Sequence, residues 1–144
     1  MRQCSEIFCT GVERGLYDHG MIDFSSNSIF KLSQIDPAEV QPQIAGLLLE
    51  GEVLLVAAKT IRDFVVFTDK RIIAVNVQGI TGKKRDFSSL PYSKVQAFSV
   101  ETAGTFDLDA ELELWFSGLG KVHFEFKGSF DVTYLARLIG SKVL

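Results

Sequence analysis

Histidine, cysteine and tryptophan are scarce in this sequence of 144 residues, which contains two histidines, two cysteines and one tryptophan. Both cysteines, Cys4 and Cys9, lie in the opening segment, where His19 is the other candidate metal ligand. A cysteine-based metal site needs more ligands at close spacing, and the sequence has no second cysteine pair. We therefore expect two reduced thiols there and no metal site.

Long apolar runs are also missing. The most apolar run, from residue 53 to residue 58, stops at Lys59, far short of the roughly 20 residues that a transmembrane helix needs. Glu6 and Glu13 interrupt any apolar region near the N-terminus, so a signal peptide is not indicated. The cytoplasm is the expected compartment.

The charge balance is slightly acidic, with 18 acidic and 15 basic side chains and a formal net charge of −3. A general nucleic-acid-binding protein needs a large basic surface, so a nucleic-acid partner is not expected. Apolar residues make up 47% of the chain, which excludes a disordered protein. The length suits a single domain with its own core.

The first part of the chain divides into two segments. Residues 1–20 show no clear periodicity and are expected to form a loose segment, with Met21 as an alternative start. Residues 21–50 are interpreted as a helical N-terminal extension. Asp36 is a good N-cap and Pro37 suits the first helical position. Pro42 lies beyond the first turn, so the helix is expected to kink or split there.

From residue 52 the pattern changes to β. Short segments rich in Val, Ile and Phe, such as "EVLLVAAKT", "DFVVFT" and "RIIAVNV", alternate with charged turns. We count about seven antiparallel strands, followed by a helix that Ser129 is expected to cap. Such a meander with a closing helix is typical of a small barrel or an orthogonal sandwich.

The last two strands, "AELELWF" and "KVHFEFK", alternate cleanly between apolar and polar residues. A three-residue loop, Gly118–Gly120, keeps the apolar sets on one side and pairs Phe116 with Val122. In that register His123 lies beside Trp115.

The stretch "VQGITGKKRDF" resembles a phosphate-binding loop but departs from it in three ways. Gly79 and Gly82 are separated by two residues instead of four, and Lys84 stands where Ser or Thr should hold magnesium. A strand-like segment follows, so there is no helix N-terminus to receive a phosphate. We interpret the stretch as a turn between two strands and expect no nucleotide or other cofactor.

Two further features are weak indications of chemistry. Asp107, Asp109, Glu111 and Glu113 occur at every second position and would line one face of a strand. A solvated sheet face is expected there, although a cation site is an alternative. His123 is the one histidine outside the opening segment, and it lies on a polar strand face. We expect no catalytic residues, so an enzyme is not indicated.

The first three strands are apolar on both alternating faces. In an antiparallel sheet one face commonly meets water, so these strands need a cover on each side. The N-terminal helix can supply part of that cover and another subunit the rest. The candidate subunit contact consists of Val53, Leu54, Leu55, Val56 and Ala58.

The segments "FTDKRII", "QGITGKK", "PYSKV" and "FSVETAGTFDLDAEL", together with the closing helix, resemble the bacterial pleckstrin-homology-like family. The resemblance runs from about Gly51 to Leu144, which makes residues 51–144 the domain. It implies two nearly orthogonal antiparallel sheets closed by a C-terminal helix. It also implies cyclic homo-oligomers, five-fold in the single-domain form, and it supplies no reaction.

Two functions remain. The first is a non-enzymatic assembly or interaction module that forms a homo-oligomeric ring. The second is an adaptor for an anionic membrane or lipid headgroup, for which the candidate anion patch is Lys59, Arg62, Lys83, Lys84 and Arg85. The loop between the first two strands is nearly absent, which argues against binding of phosphoinositides at that position.

Overall fold

A computed structural model describes residues 31–144 of the chain. The structure is mainly β, as expected, with eight strands instead of about seven and a C-terminal helix. The strands are β1 (Lys31–Ile35), β2 (Leu54–Lys59), β3 (Phe64–Thr68), β4 (Arg71–Gln78), β5 (Lys84–Pro91), β6 (Val95–Glu101), β7 (Ala110–Phe116) and β8 (Gly120–Phe126). The α-helices are α1 (Gln41–Ile44) and α2 (Val132–Val143). Cys4, Cys9, His19 and Met21, on which the predictions for the opening segment rest, lie outside the described residues.

The eight strands form one sheet in the order β5-β4-β3-β2-β1-β8-β7-β6. Strand β1 joins the two halves, because it is antiparallel to β2 and parallel to β8. This strand lies inside the stretch predicted to be a helical extension, so that prediction is wrong for residues 31–35. Only one of the five side chains, Leu32, is buried, which leaves too little periodicity to indicate a strand.

The predicted domain start at residue 51 is therefore too late. Leu32 belongs to the main apolar core, and its carbonyl accepts a hydrogen bond from the Lys127 amide at 2.8 Å. A strand in the middle of the sheet supplies hydrogen bonds to both neighbours, so it belongs to the domain itself. The domain includes the described chain from Lys31 onward.

The helical segment after β1 is split, as the position of Pro42 predicts. A 3₁₀ turn covers Pro37–Glu39, α1 covers Gln41–Ile44, and a second 3₁₀ turn covers Ala45–Leu47. The Asp36 carboxylate caps the first turn by accepting a hydrogen bond from the Ala38 amide at 2.9 Å. Three short turns replace the single helix because proline donates no backbone hydrogen bond.

Two apolar layers lie on opposite faces of strands β2, β3 and β4. The main core fills the space between the two halves of the sheet and α2, and it contains among others Leu32, Val56, Phe67, Ile72, Leu112, Leu114, Phe124, Phe126, Leu135 and Ile139. The second layer lies under the split helical segment and consists of Val40, Ile44, Ala57, Phe64, Val66, Ile73 and Val75. The N-terminal helical segment thus covers the second face, as expected.

The β7–β8 hairpin has the predicted loop length but a different register. Its three loop residues are 117–119 rather than 118–120, so Phe116 pairs with Gly120 and Leu114 with Val122. The shift of two residues keeps every side chain on its predicted face, which is why alternation cannot detect it. Gly118 and Gly120 have φ of 83° and 95°, and their positions select the observed turn.

Helix α2 begins later than predicted. Asp131, not Ser129, is the N-cap, and its carboxylate accepts a hydrogen bond from the Tyr134 amide at 2.9 Å. Val132, Leu135 and Ile139 recur at helical spacing, and all three are buried in the main core. The helix packs against β6 and β7 and closes that side of the sheet.

The aromatic centre of the main core generates a stability prediction. Phe124 is 1% exposed, and its ring lies 6.1 Å from that of Phe67, measured between centroids, in an edge-to-face arrangement. Replacing Phe124 by Ala should lower the free energy of unfolding by about 3–5 kcal/mol, because the cavity adds to the lost burial. Urea unfolding measures the change. Ile61→Ala, at a fully exposed position, is the control and should change it by less than about 0.5 kcal/mol. A loss below about 1 kcal/mol for Phe124→Ala would contradict the core assignment.

Candidate functional site: paired loops and an apolar turn

Two loops lie side by side at one end of strands β2 to β5. The loop Thr60–Asp63 connects β2 to β3, and the loop Gly79–Lys83 connects β4 to β5. The Arg62 guanidinium donates a hydrogen bond to the carbonyl oxygen of Gly79. The Asp63 carboxylate accepts one from the Val77 amide at 2.9 Å. We call this pair the paired loops.

Each of the paired loops has a local reason for its shape. In the first, the Asp63 amide donates to the Thr60 hydroxyl at 3.0 Å, and the Thr60 amide donates to the Asp63 carbonyl at 2.8 Å. In the second, Gly79 and Gly82 have φ of 77° and 67°, which other residues rarely adopt. The glycine loop therefore connects two antiparallel strands, as predicted from its sequence.

The five cations of the predicted anion patch do not form one pocket. The Lys59 ammonium lies 3.3 Å from the Glu39 carboxylate, and Arg62 is bound to the Gly79 carbonyl. Lys83, Lys84 and Arg85 are exposed. Because neighbouring residues of a strand point to opposite faces, Lys84 and Arg85 in β5 cannot converge on one small anion.

Sequence reasoning missed the most exposed apolar side chains of the paired loops. Ile61 and Ile80 are 101% and 103% exposed, one on each loop. The signal was present in the sequence, since a β-branched apolar residue in a short loop between adjacent strands, here of four or five residues, cannot reach the core. Two exposed isoleucines beside three exposed cations form an amphipathic tip.

The predicted subunit contact is mostly buried inside the chain itself. Val56 and Ala58 are 5% and 0% exposed in the main core. Leu54 and Leu55 are partly buried, Leu54 against the second layer and Leu55 against the main core. Of the five residues, Val53 alone is well exposed, at 52%. Any contact with another molecule on this part of the chain must therefore centre on Val53.

Val53 belongs to a turn that carries two more exposed leucines. Leu47 is 43% exposed and Leu49 is 57% exposed. One backbone hydrogen bond closes this segment internally, from the Glu52 amide to the Leu49 carbonyl at 3.0 Å. Another ties its C-terminal end to the residue after β3, from the Asp69 amide to the Val53 carbonyl at 3.0 Å. We call residues 47–53 the apolar turn.

A buried ion pair holds the apolar turn against the sheet. The Arg71 guanidinium donates from Nε and Nη2 to the two carboxylate oxygens of Glu52, each at 3.0 Å. The Nη2 atom also donates to the Leu47 carbonyl at 2.7 Å. The Leu49 amide donates to Glu52 Oε1 at 2.9 Å, and the Thr68 hydroxyl donates to Oε2 at 2.8 Å. We call this the Glu52–Arg71 network.

The network shifts the pKa of Glu52, and its charge contributes to the pKa shift of nearby Tyr92. Burial alone would raise the pKa of Glu52, but the hydrogen bonds from Arg71, the Leu49 amide and Thr68 outweigh it and lower the pKa to about 2. Nearby Tyr92 donates its hydroxyl to the Thr68 carbonyl at 2.8 Å. Burial, followed by the charges of Asp69 and Glu52, raises the pKa of Tyr92 well above its usual value.

The acidic stripe is shorter than predicted. Asp107 and Asp109 precede β7, which begins at Ala110, so Glu111 and Glu113 alone lie on the strand. The register of the hairpin places Glu113 opposite His123, and Trp115 opposite Lys121. The predicted neighbour of His123, Trp115, is therefore wrong, and a carboxylate takes its place.

The chain is similar in fold to known structures of pleckstrin-homology domains. One, from Shewanella loihica PV-4, is 39% identical, with a TM-score of 0.69 over 80% of this chain and 99% of that one. Another, from Shewanella amazonensis SB2B, is 40% identical, with a TM-score of 0.59 over 83% of this chain and 94% of that one. Both are described as carrying a pleckstrin-homology domain.

The fold thus defines a pleckstrin-homology-like module, a class that indicates binding rather than catalysis. Residues 23–143 match the bacterial PH domain family, and the chain belongs to that family. The match begins before the predicted boundary at residue 51 and includes β1. The uncharacterised protein YjqA of Bacillus subtilis strain 168 is 57% identical over 86 residues, 60% of this chain and 69% of that protein. Within residues 31–144, no helix is long and apolar enough to cross a membrane.

The Glu52–Arg71 network generates a prediction about acid. The folded pKa of Glu52 lies below its ordinary value of 4.5, so the pair stabilises the fold above about pH 5 and loses that contribution as the pH falls toward 2. The difference corresponds to about 3 kcal/mol. Urea unfolding at several pH values should show a clearly flatter dependence in Glu52→Gln than in the unchanged protein. Glu50→Gln removes an exposed carboxylate from the same turn and should keep the full dependence. Equal slopes for Glu52→Gln and the unchanged protein would refute the role of the pair.

Proposed function

We propose that the chain acts as a non-catalytic interaction module whose copies associate head to tail into a closed ring. The apolar turn carries the proposal, because three exposed apolar side chains sit on a segment that the Glu52–Arg71 network holds rigid. A preordered patch loses little entropy when it binds. The relation to a family of pleckstrin-homology-like modules supports the same reading.

A second apolar patch supplies the complementary surface. Phe106 and Leu108, in the loop between β6 and β7, are 101% and 61% exposed. This loop belongs to the opposite half of the sheet from the apolar turn. Two different patches on one chain favour a head-to-tail contact, in which each copy uses one patch toward each neighbour. Such contacts generate a ring when the rotation closes.

The sizes of the two patches show why both are needed. Burying a large apolar side chain fully is worth about 1.5–3 kcal/mol, so the half-exposed residues of the apolar turn together contribute on the order of 3–4 kcal/mol. Association costs about 4–15 kcal/mol, which the turn alone cannot offset. Adding Phe106 and Leu108 brings the gross gain to roughly 7–8 kcal/mol, within the range of that cost. The remaining stabilisation must come from packing around these anchors.

Mass measurement by light scattering after size exclusion tests the proposal. The unchanged protein should elute as an oligomer at micromolar concentration. The double variant Leu49→Lys/Val53→Lys and the single variant Phe106→Lys should each be monomeric, because a charge in an apolar contact has no partner. Ile61→Lys adds the same charge at an exposed position outside both patches and should leave the oligomer intact.

Mixing the two monomeric variants tests the head-to-tail arrangement itself. Each variant retains one intact patch, so an equimolar mixture should form a heterodimer joined by a single unaltered contact and nothing larger. A monomeric unchanged protein would overturn the proposal of self-association. Two monomeric variants that fail to pair with each other would overturn the head-to-tail contact.

A second candidate function is favoured by the exposed isoleucines of the paired loops. Ile61 and Ile80 can enter the headgroup region of a membrane while Lys83, Lys84 and Arg85 meet anionic lipids. Each basic residue near an anionic surface is worth about 1 kcal/mol, and this contribution falls with salt. In this reading the module is a peripheral membrane adaptor with no defined headgroup pocket.

Vesicle sedimentation tests the membrane reading. Vesicles of phosphatidylcholine and phosphatidylserine should retain the protein at low salt, and vesicles of phosphatidylcholine alone should not. Ile61→Ser/Ile80→Ser should weaken retention at least about tenfold, since two apolar side chains no longer leave water. The control Tyr134→Ser alters an exposed side chain of α2 and should retain binding. Equal retention by both kinds of vesicle, or none by either, excludes this function.

A further inference from the structure

The outer face of the β7–β8 hairpin carries a cluster of ionisable side chains that neither proposed function uses. Glu111 lies opposite Glu125 across the two strands, and Glu113 lies opposite His123. These four residues, which we call the His123 cluster, therefore occupy a single patch of the sheet. The side chain of Glu125 is 9% exposed and that of His123 is 23% exposed, so the patch is largely withdrawn from water.

The orientation of the imidazole is set by Glu113. Its carboxylate oxygen Oε1 lies 3.3 Å from Nδ1 of His123 and 2.9 Å from the Lys121 ammonium. A carboxylate beside Nδ1 selects the tautomer that carries its proton there. The lone pair of the ring then lies on Nε2.

The Nε2 atom of His123 is the unusual atom of the cluster. It is inaccessible to solvent, and no group in residues 31–144 forms a hydrogen bond with it. The nearest carboxylate oxygen is Oε2 of Glu111 at 3.9 Å, too far for a hydrogen bond. A buried nitrogen without a partner is unfavourable, because it has lost its contact with water and gained no hydrogen bond, so this atom calls for a ligand.

We propose that Glu111, His123 and Glu125 bind a divalent transition-metal ion of the Zn²⁺ type. One ligand atom from each residue lies within 4.8 Å of the others. Bonds of about 2.0–2.2 Å from one ion to imidazole nitrogen and carboxylate oxygen require separations of roughly 3–4 Å, which small side-chain rotations achieve. Two carboxylates and one neutral imidazole balance the charge of the ion. The fourth position is left to water or to a ligand from another molecule.

Glu113 would then be the outer partner that holds the metal-binding imidazole in place. A carboxylate that accepts the other ring N–H of a ligating histidine recurs in metal sites and raises the basicity of the ligand. This arrangement distinguishes the cluster from a group of surface acids. In such a site one carboxylate holds the histidine and another binds the ion beside it. The observed register places His123 next to Glu113 and Glu111 in this way.

Lys31 competes with the ion. Its ammonium lies 3.1 Å from a carboxylate oxygen of Glu125 and 3.8 Å from one of Asp109. Binding of the metal to Glu125 displaces this contact. Because of this competition, only a cation that binds Glu125 more strongly than the Lys31 ammonium does can occupy the site. Removing the lysine should therefore tighten metal binding.

Calorimetric titration of the full-length protein with Zn²⁺ under reducing conditions tests the site. One ion per chain should bind at this site, and His123→Ala and Glu111→Gln should each abolish that binding. Glu113→Gln, which leaves all three ligands in place, should weaken it about 10–100-fold, as loss of an outer partner does. Lys31→Gln should strengthen it. Glu50→Gln is the matched control for loss of a carboxylate and should bind as the unchanged protein does.

Cys4, Cys9 and His19 lie outside the described residues and are alternative zinc ligands, so the readout must separate the two sites. Co²⁺ bound at the His123 cluster should give visible absorption without a thiolate-to-metal charge-transfer band, and His123→Ala should remove it. Circular dichroism identifies a variant that fails to fold, and Glu113→Gln then carries the test. Stoichiometry and affinity that are identical in His123→Ala, Glu113→Gln and the unchanged protein would overturn the proposal, as would a cobalt spectrum with thiolate bands alone.

Discussion

The bidentate contact between Glu52 and Arg71 is the interaction on which the arrangement of the N-terminal half depends. One guanidinium reaches the carboxylate of Glu52, the carbonyl of Leu47 and, at 2.8 Å, the hydroxyl of Ser89 in β5. It thereby ties the end of the helical segment to the β3–β4 hairpin and to the next strand. Removing one partner of a buried pair leaves the other charge without compensation, which typically costs about 3–5 kcal/mol. The helical cover and the apolar turn would lose their anchor together.

The two-faced apolar strands explain why such an anchor is needed. Strands β2, β3 and β4 pack against the main core on one side and against the split helical segment on the other. Both layers were anticipated from the sequence, because runs such as "FVVF" leave no polar face. The sequence could not show how much of the cover the chain itself provides. Val56 and Ala58 are buried inside the chain, so they cannot contact another subunit. The proposed contact therefore consists of Val53 and the exposed Leu47 and Leu49.

Two parts of the fold could not be predicted because the physical signal is weak. Strand β1 buries one side chain, and its place in the sheet depends on partners that lie far away in the sequence. The register of the last hairpin is ambiguous by two residues, since either choice keeps the apolar sets together. The second ambiguity matters for chemistry, because in one register His123 faces Trp115 and in the other it faces Glu113. The residues of the His123 cluster were all visible in the sequence, but their juxtaposition was not.

The position of β1 also has a consequence for synthesis on the ribosome. Its partner in β8 is made about ninety residues later, since Lys31 pairs with Glu125. At translation rates of about 5–20 residues per second, one edge of the growing sheet stays open for about 5–20 s. An open edge is a template for pairing with the wrong chain. The segment "KLSQI" is mostly polar, with a lysine at its start and a single buried leucine. That composition disfavours pairing of the open edge with other chains until β8 has been synthesised.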